Sequence, residues 1–377
     1  MGEESKFADK FALVTPPDTI VRFEVPVTYE GGRWIDYAAH PAYSEALQSA
    51  RFVDKLRSSM IFARYFLLVA FKRLIGYELI PAHLRKVSGF RRVLNYLKYG
   101  LGRRNGFDGR HDGSDAGAVE IANIVHSMLK EQGICVIGPT EERYYEVDKL
   151  VMPEVERLRH LRGESKTGGR AFIESRASVL RTENPELFGA VESLFRDCGV
   201  LDAVSAYTGR AAKVVDINPQ LNDHSDDFWR TIFPDIDAPQ TDTAYYHRDA
   251  SGGDVKAIIY LSDVGPENGP FTFVVGSQKG KPSGVIDWFG ETNDHSGFSA
   301  TDKEARKSFA ALPAIFRRKC AFGKDIPINS EVSRRIHAAE WKISATRGHI
   351  VVFDTKGIHR GGMVTGGERA VLTCVLG

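Results

Sequence analysis

The chain has 377 residues, of which 42% are hydrophobic and 26% are charged, and its formal net charge at pH 7 is +1. This composition excludes a disordered or fibrous protein and predicts a globular protein that buries a sizeable core. The four cysteines are far apart and form no Cys-x-x-Cys pair, which excludes a zinc ribbon and a disulfide framework and favours a reducing cytoplasm.

The first 117 residues differ from the rest of the chain in composition and in the spacing of their apolar residues. Residues 1–50 are interrupted by proline and glycine, which predicts an irregular or short-stranded segment. Residues 51–101 have helical spacing of apolar residues and predict a helical extension. Residues 102–117 are rich in glycine and charge, with almost nothing apolar, and predict a linker that ends the extension.

The helical extension is strongly basic. Between residues 51 and 104, thirteen Lys or Arg stand against Asp54 and Glu78, a net charge of +11, and the remainder of the chain carries −10. Such helices can lie on an anionic membrane surface or bind a lipid-linked or phosphorylated substrate. They can equally form a packing layer with a solvated cationic face.

We predict a cytoplasmic protein, with a peripheral membrane contact as one option, and expect no nucleic-acid partner because no binding module is recognisable. The oligomeric state is left open.

The pattern of residues 118–377 predicts a catalytic domain that follows the linker. An amphipathic helix, the short apolar strand ICVIG and a second helix starting near Thr140 come first. Beyond residue 210, five apolar stretches separated by Gly, Asn and Pro predict strands. The fold class is therefore α+β with a mainly β core and helices before it. An insert at 281–342 is long for a connection, which is typical either of a lid over a site or of a peripheral subdomain.

A metal site is predicted from three side chains. His247-Arg248-Asp249 is an HxD triplet, and in an extended segment its two ligand side chains share one face. His359 follows an apolar strand in the glycine-rich sequence DTKGIHRGG, where the backbone can turn a side chain inward. Two histidines and one carboxylate form the facial triad of non-haem Fe(II) oxygenases, which leaves metal positions open.

The open positions suit 2-oxoglutarate and O2. The cosubstrate would take two positions through its carboxylate and keto oxygens, and O2 would take the third. Arg369 follows His359 by ten residues on a predicted strand, and its planar guanidinium can bind the far carboxylate of 2-oxoglutarate bidentately. Arg360, beside His359, is the alternative for that role.

The order of these motifs resembles the phytanoyl-CoA dioxygenase (PhyH) family of Fe(II)/2-oxoglutarate oxygenases. The HxD triplet is followed by ENGPFTFVVGSQKG at 267–280, then by the glycine-rich distal histidine and an arginine. The segment EQGICVIG between two helices is similar to that family's opening. The resemblance covers about 118–377 and implies a double-stranded β-helix (jelly-roll, cupin-like) fold with flanking helices. It also implies the site residues His247, Asp249 and His359 for iron and Arg369 for 2-oxoglutarate.

Three features qualify this resemblance. Gln278 and His349 stand where the family usually has His and Asp, and the interval from His359 to Arg369 is one residue shorter than the commonest form. Asp249, by contrast, favours an oxygenase over a related halogenase, which lacks this carboxylate. We therefore predict a dioxygenase that hydroxylates a C–H bond of a small-molecule, acyl, or lipid- or glycan-linked substrate with release of succinate and CO2. The alternatives are a docking β-helix protein without oxygenase activity and a zinc-dependent cupin-type hydrolase.

Overall fold

The fold is described from a computed structural model, which covers residues 12–23, 48, 51–57, 59–60, 63, 116–138, 141–164, 176–224, 242–243, 246–249, 255–279, 326 and 328–377. Its helices are α1 (Ala116–Glu131), α2 (Glu141–Glu164), α3 (Pro185–Asp197), α4 (Val200–Thr208) and α5 (Glu331–Ala338). Its strands are β1 (Ala12–Val14), β2 (Ile134–Gly138), β3 (Val214–Asp223), β4 (Val255–Tyr260), β5 (Phe271–Val274), β6 (Glu340–Ile343), β7 (Ile350–Asp354), β8 (His359–Gly361) and β9 (Glu368–Leu376).

These strands form two sheets. The larger sheet has the order β1-β2-β7-β4-β9-β3 and the smaller has the order β6-β5-β8. Every described strand pair is antiparallel. The central strands β4, β7 and β9 are rich in Val and Ile, which pack well on a pleated surface. Non-consecutive neighbours in both sheets agree with the predicted jelly-roll.

The larger sheet is buried on both faces. Alternate side chains of β4 divide between them: Ala257 and Ile259 belong to the core beneath the helices, whereas Ile258 and Tyr260 belong to the core beneath the smaller sheet. The smaller sheet contributes apolar side chains to this second core, among them Phe273. The space between the two sheets is the interior into which functional side chains can point.

Helices α1 to α4 cover the outer face of the larger sheet. The amphipathic helix α3 shows why this layer forms: its five buried apolar residues recur at helical spacing. Asn184 caps its first turn by accepting a hydrogen bond from the backbone N–H of Leu187 at 3.0 Å, and Pro185 occupies the first helical position, where its missing N–H costs nothing. The layer holds the larger sheet in place from behind the site.

The mixed helix and sheet architecture with antiparallel sheets is confirmed. The predicted helix, strand and second helix before the β core correspond to α1, β2 and α2, and all five predicted strands contain observed strands. Two further strands, β6 and β8, complete the smaller sheet and were not predicted. Because β6 pairs with β5, the last residues of the predicted insert 281–342 belong to a core strand.

The basic extension stays a prediction. Residues 52–57 are helical, but most of the segment 51–104 and most of the insert 281–342 lie outside the described residues. The membrane contact proposed for that segment is therefore untested, as is the lid role of the insert. Among the helices of the described residues, none combines the length and the apolarity needed to cross a membrane.

Candidate metal centre

The HxD triplet is attached to the chain around His359 by backbone hydrogen bonds. The N–H of His247 donates to the carbonyl of His359 at 3.0 Å, and the N–H of His359 donates to the carbonyl of His247 at 2.9 Å. The N–H of Asp249 donates to the carbonyl of Thr355 at 3.0 Å. Segments that are 112 residues apart in sequence are thereby placed side by side.

The three predicted metal ligands come together. One ligand atom each from His247, Asp249 and His359 lies within 4.8 Å of the others. The Nε2 atoms of the two histidines are 3.7 and 3.8 Å from the two carboxylate oxygens of Asp249, and the imidazole centroids are 4.5 Å apart. Separations of this order are those of ligands that share one ion with bonds of about 2 Å.

The imidazole of His359 is held in one tautomer. Its Nδ1 lies 2.8 Å from the carbonyl oxygen of Gly357, and because a carbonyl only accepts, Nδ1 carries the proton and Nε2 keeps a lone pair facing Asp249. The ring contacts Phe271 and Phe353, with centroid distances of 5.7 and 4.9 Å. Burial, reinforced by the nearby His247, lowers the pKa of His359 to about 3. The imidazole of His359 is therefore neutral at physiological pH.

Gly357 is required by this arrangement. A Cβ atom at position 357 would lie 2.1 Å from Cζ of Phe273, a buried aromatic residue of β5. The carbonyl that orients His359 can therefore approach β5 only because residue 357 has no side chain. This glycine sets both the turn between β7 and β8 and the imidazole orientation.

Lys256 was missed by sequence reasoning. Its Nζ lies 2.6 Å from Oδ2 of Asp249. Burial alone would raise the pKa of Asp249, but the charge of Lys256, together with His359 and His247, outweighs burial and holds that pKa well below its usual range. Asp249 is therefore a carboxylate at any pH at which the protein works. The signal was available, because Lys256 shares the inward face of β4 with Ile258 and Tyr260.

The metal-free protein should lose stability as the pH falls from about 6.5. Between that pH and about 3, an unfolded chain protonates residue 359 and the folded chain does not, so the unfolded state binds more protons and low pH favours it. The contribution of Asp249, whose pKa is lowered, disappears only below its ordinary pKa of 3.8. Between pH 6.5 and 5, His359 alone should cost about 2 kcal/mol of unfolding free energy.

Urea unfolding of chelator-treated protein at these two pH values measures this cost. The His359→Gln variant, which has no imidazole to protonate, is the control because every other ionisable group is retained. Its unfolding free energy should fall by about 2 kcal/mol less than that of the original protein over the same interval. Equal losses would contradict a buried, neutral His359.

Arg369 lies on the inward face of β9. It alternates with Ala370 and Leu372, which pack against the helices, and shares its face with Val371 between the sheets. Its guanidinium donates to the carbonyl of Gly362 at 3.3 Å, and a Cβ at Gly361 would lie 3.0 Å from its Nη2.

The close approach of Arg369 to Gly361 shows where its guanidinium lies relative to the candidate metal cluster. His359 and Gly361 both lie in β8, two residues apart, and so share one face of the strand. The guanidinium therefore occupies the same face as the His359 side chain. Two residues of extended strand place it about 6–7 Å further along β8.

Arg360 lies on the opposite face of β8 and is engaged elsewhere. Its guanidinium stacks on the ring of Tyr246 at 4.1 Å, donates to the carbonyl of Asp242 at 2.8 Å and lies 3.6 Å from the Glu340 carboxylate. Tyr246 also donates to Glu340 at 2.6 Å. This network joins Tyr246, which precedes His247, to Arg360, which follows His359. Arg360 therefore stabilises the backbone of the candidate metal site from the outer face of β8.

The two positions that depart from the family pattern lie away from the cluster. Nε2 of Gln278 is 3.4 Å from the carbonyls of Leu129 and Lys130 near the end of α1. The ring of His349 is bonded to Thr346 in the turn before β7. Both departures therefore affect connections of the scaffold and leave the ligand set unchanged.

Two facing antiparallel sheets that hold two histidines and one carboxylate define the class of non-haem iron oxygenases. Residues 191–371 match the family described as phytanoyl-CoA dioxygenase (PhyH), and this stretch includes the HxD triplet, His359 and Arg369. The chain therefore carries a PhyH-like domain and is a 2-oxoglutarate-dependent non-haem iron oxygenase, for which Fe(II), 2-oxoglutarate and O2 are the cofactors. The resemblance predicted from the motifs is confirmed over these residues, whereas its predicted part at 118–190, which includes EQGICVIG, lies outside the match.

Several solved structures are similar to this chain at low sequence identity. EctD from S. alaskensis, crystallised with 2-oxoglutarate and 5-hydroxyectoine, is 11% identical over 71% of this chain and 77% of its own, with a TM-score of 0.42. The 2-oxoglutarate-dependent carbocyclase SnoK from nogalamycin biosynthesis is 14% identical over 70% of this chain and 87% of its own, with a TM-score of 0.39. No curated protein gives a significant match. The class assignment rests on the family match and the site chemistry.

Proposed function

We propose that His247, Asp249 and His359 bind Fe(II), that Arg369 binds 2-oxoglutarate, and that the enzyme hydroxylates a C–H bond of a small-molecule substrate. The observation that carries the proposal is the convergence of three ligand atoms within 4.8 Å. The substrate would be a free small molecule, an acyl compound, or a lipid- or glycan-linked compound.

The residues present fit a ferrous ion. Two imidazole nitrogens and one carboxylate oxygen are the donor set that Fe(II) takes in oxygenases, and three ligands on one side leave the other side open. His359 is neutral with its lone pair available, and Asp249 is charged. Neither of these two residues therefore has to lose a proton to bind the metal at neutral pH.

The cosubstrate would be held by charge and shape. The bound iron would couple the decarboxylation of 2-oxoglutarate by O2 to substrate oxidation, so that one oxygen atom enters succinate and the other enters the hydroxylated product. Arg369 would neutralise the far carboxylate of 2-oxoglutarate, and its buried position makes that pairing stronger than in water. Phe271 and Phe353 shield the His359 side of the cluster from water.

The substrate would approach from the side of the HxD triplet. The side chains of His247 and Asp249 are 16% and 18% exposed, against 6% for His359. Access to the metal is therefore greatest where the triplet meets solvent. Lys256, which is 26% exposed, lies on this side and is the charged group that a substrate would meet beside Asp249.

Anaerobic addition of Fe(II) and 2-oxoglutarate tests this function directly. Bidentate 2-oxoglutarate on Fe(II) should give a visible metal-to-ligand charge-transfer band, and the Asp249→Ala variant should lose most of it. The control is Asp263→Ala, because Asp263 is exposed and, among the described residues, its carboxylate accepts a hydrogen bond from the backbone N–H of Arg347. It should keep the band.

Absence of the band from the original protein would contradict the proposal, as would a band that Asp249→Ala leaves unchanged. Stoichiometric Zn(II) binding with hydrolytic activity and no such band would support the zinc hydrolase instead. With the band established, succinate production stimulated by candidate substrates identifies the substrate class.

A further inference from the structure

The inward wall formed by β3 and β9 is polar. On β3, Ile217 and Leu221 belong to the core beneath the helices, so the residues that alternate with them, Asn218, Gln220 and Asn222, face the space between the sheets. Apolar side chains line the opposite part of this space. The side-chain amides of this polar wall therefore need hydrogen-bond partners that the apolar side chains opposite them cannot supply.

Asn222 is the residue of this wall that lies beside Arg369. The two are direct partners across the β3–β9 pair, and side chains at directly opposed positions of antiparallel strands project from the same face. Both therefore point into the space between the sheets, at the end of β9 where the guanidinium reaches Gly361.

The side-chain amide of Asn222 has an unused donor. Its Nδ2 atom is buried, and no atom of the described part of the chain accepts a hydrogen bond from it. Gln220, two residues earlier on the same face, differs: its Nε2 donates to Oγ1 of Thr373 at 3.1 Å. Buried polar groups in folded proteins are almost always paired, and an unpaired donor is costly, so such an atom points to a ligand that supplies the acceptor.

We propose that Asn222 donates a hydrogen bond to the same carboxylate of 2-oxoglutarate that Arg369 binds. An acceptor that suits both a guanidinium and an adjacent amide N–H is an anionic oxygen, and a carboxylate has two oxygens with enough lone pairs for three donors. The inference rests on the proposed function. It adds a second, neutral donor to the cosubstrate site and makes Asn222 a cosubstrate-binding residue.

The test is an anaerobic titration of the Fe(II)-loaded protein with 2-oxoglutarate, followed by the charge-transfer band. Asn222→Leu removes the amide at nearly constant volume, and Gln220→Met is the matched control, because the amide of Gln220 is already bonded within the protein. We expect the dissociation constant for 2-oxoglutarate to rise about 10- to 100-fold in Asn222→Leu, as for loss of a hydrogen bond to a charged group. Gln220→Met should change it by less than about threefold.

Thermal unfolding of the protein without 2-oxoglutarate separates binding from a structural role. Since Nδ2 of Asn222 is unpaired without the cosubstrate, Asn222→Leu should unfold at the same temperature as the original protein or a higher one. An unchanged dissociation constant would overturn the inference, and so would a lowered unfolding temperature without cosubstrate. Failure of the original protein to form the band would instead overturn the proposed function, so the two failures are distinguishable.

Discussion

Replacing His359 by alanine should abolish succinate formation and weaken Fe(II) binding at least about 100-fold. The reference for this size is the 10- to 100-fold loss seen when residues that only orient metal ligands are changed. His359 is itself a proposed ligand, with a tautomer set by Gly357 and a ring packed between two aromatic side chains. The imidazole that faces His359 in the described part of the chain belongs to His247, which is itself a proposed ligand and cannot replace it.

Anaerobic equilibrium dialysis with Fe(II) measures the affinity, and circular dichroism verifies that the variant is folded. The control is His349→Ala, which removes an imidazole from the turn before β7, where its ring is hydrogen-bonded to Thr346. This control should bind Fe(II) within about threefold of the original protein. Retention of Fe(II) affinity by a folded His359→Ala protein would contradict the proposed ligand set.

Replacing Arg369 by methionine should raise the dissociation constant for 2-oxoglutarate at least about 100-fold and leave Fe(II) affinity nearly unchanged. A buried carboxylate that loses its charged partner costs about 3–5 kcal/mol, which corresponds to at least this factor. The effect separates 2-oxoglutarate binding from Fe(II) binding because the guanidinium of Arg369 lies against Gly361 and Gly362, about 6–7 Å along β8 from His359. The dissociation constant of the Arg369→Lys variant should lie between those of the original protein and Arg369→Met, because lysine keeps the positive charge and lacks the planar guanidinium.

Arg360→Met is the matched control for this prediction, and it also tests the alternative that Arg360 binds the cosubstrate. Its side chain lies on the other face of β8, against Tyr246 and Glu340. The variant should therefore bind 2-oxoglutarate within about threefold of the original protein and should unfold at a lower temperature, because Glu340 loses one of its cationic partners. The reverse result, a large loss of 2-oxoglutarate affinity with Arg360→Met and none with Arg369→Met, would assign the role to Arg360.

The site residues that could be predicted are those whose role is indicated by residues close to them in the sequence. His247 and Asp249 are two residues apart, and period-two alternation brings them to one face of any extended segment. His359 stands in a run of glycines after an apolar strand, which marks a turn with an inward side chain. The strands β4, β7 and β9 are long enough, and apolar enough, to be recognised from composition alone.

Short strands and cross-strand partners were not predictable in the same way. The strand β8 has three residues and β6 has four, so neither contains enough alternation to stand out from a turn. They form because β5 pairs with β6 along one edge and with β8 along the other. Alternation along β4 indicates that Lys256 faces inward. Nothing adjacent to Lys256 or Asn222 in the chain, however, indicates the residues on other segments with which they interact.

The three proposed ligands and the order of motifs were determined by the sequence itself, since their residue types and spacings carry the metal chemistry without reference to the rest of the chain. The sequence favoured Arg369 over Arg360 as the cosubstrate-binding arginine, and the tertiary structure supplied the positions of the two guanidinium groups. Arg360 and Arg369 are both close to His359 in sequence, and the choice depends on which face of a strand each occupies and on what that face packs against. Tertiary structure also set the charge state of the cluster, because burial and the approach of Lys256 determine the pKa values of His359 and Asp249. Electrostatic interactions depend on distance in space, which sequence separation does not specify.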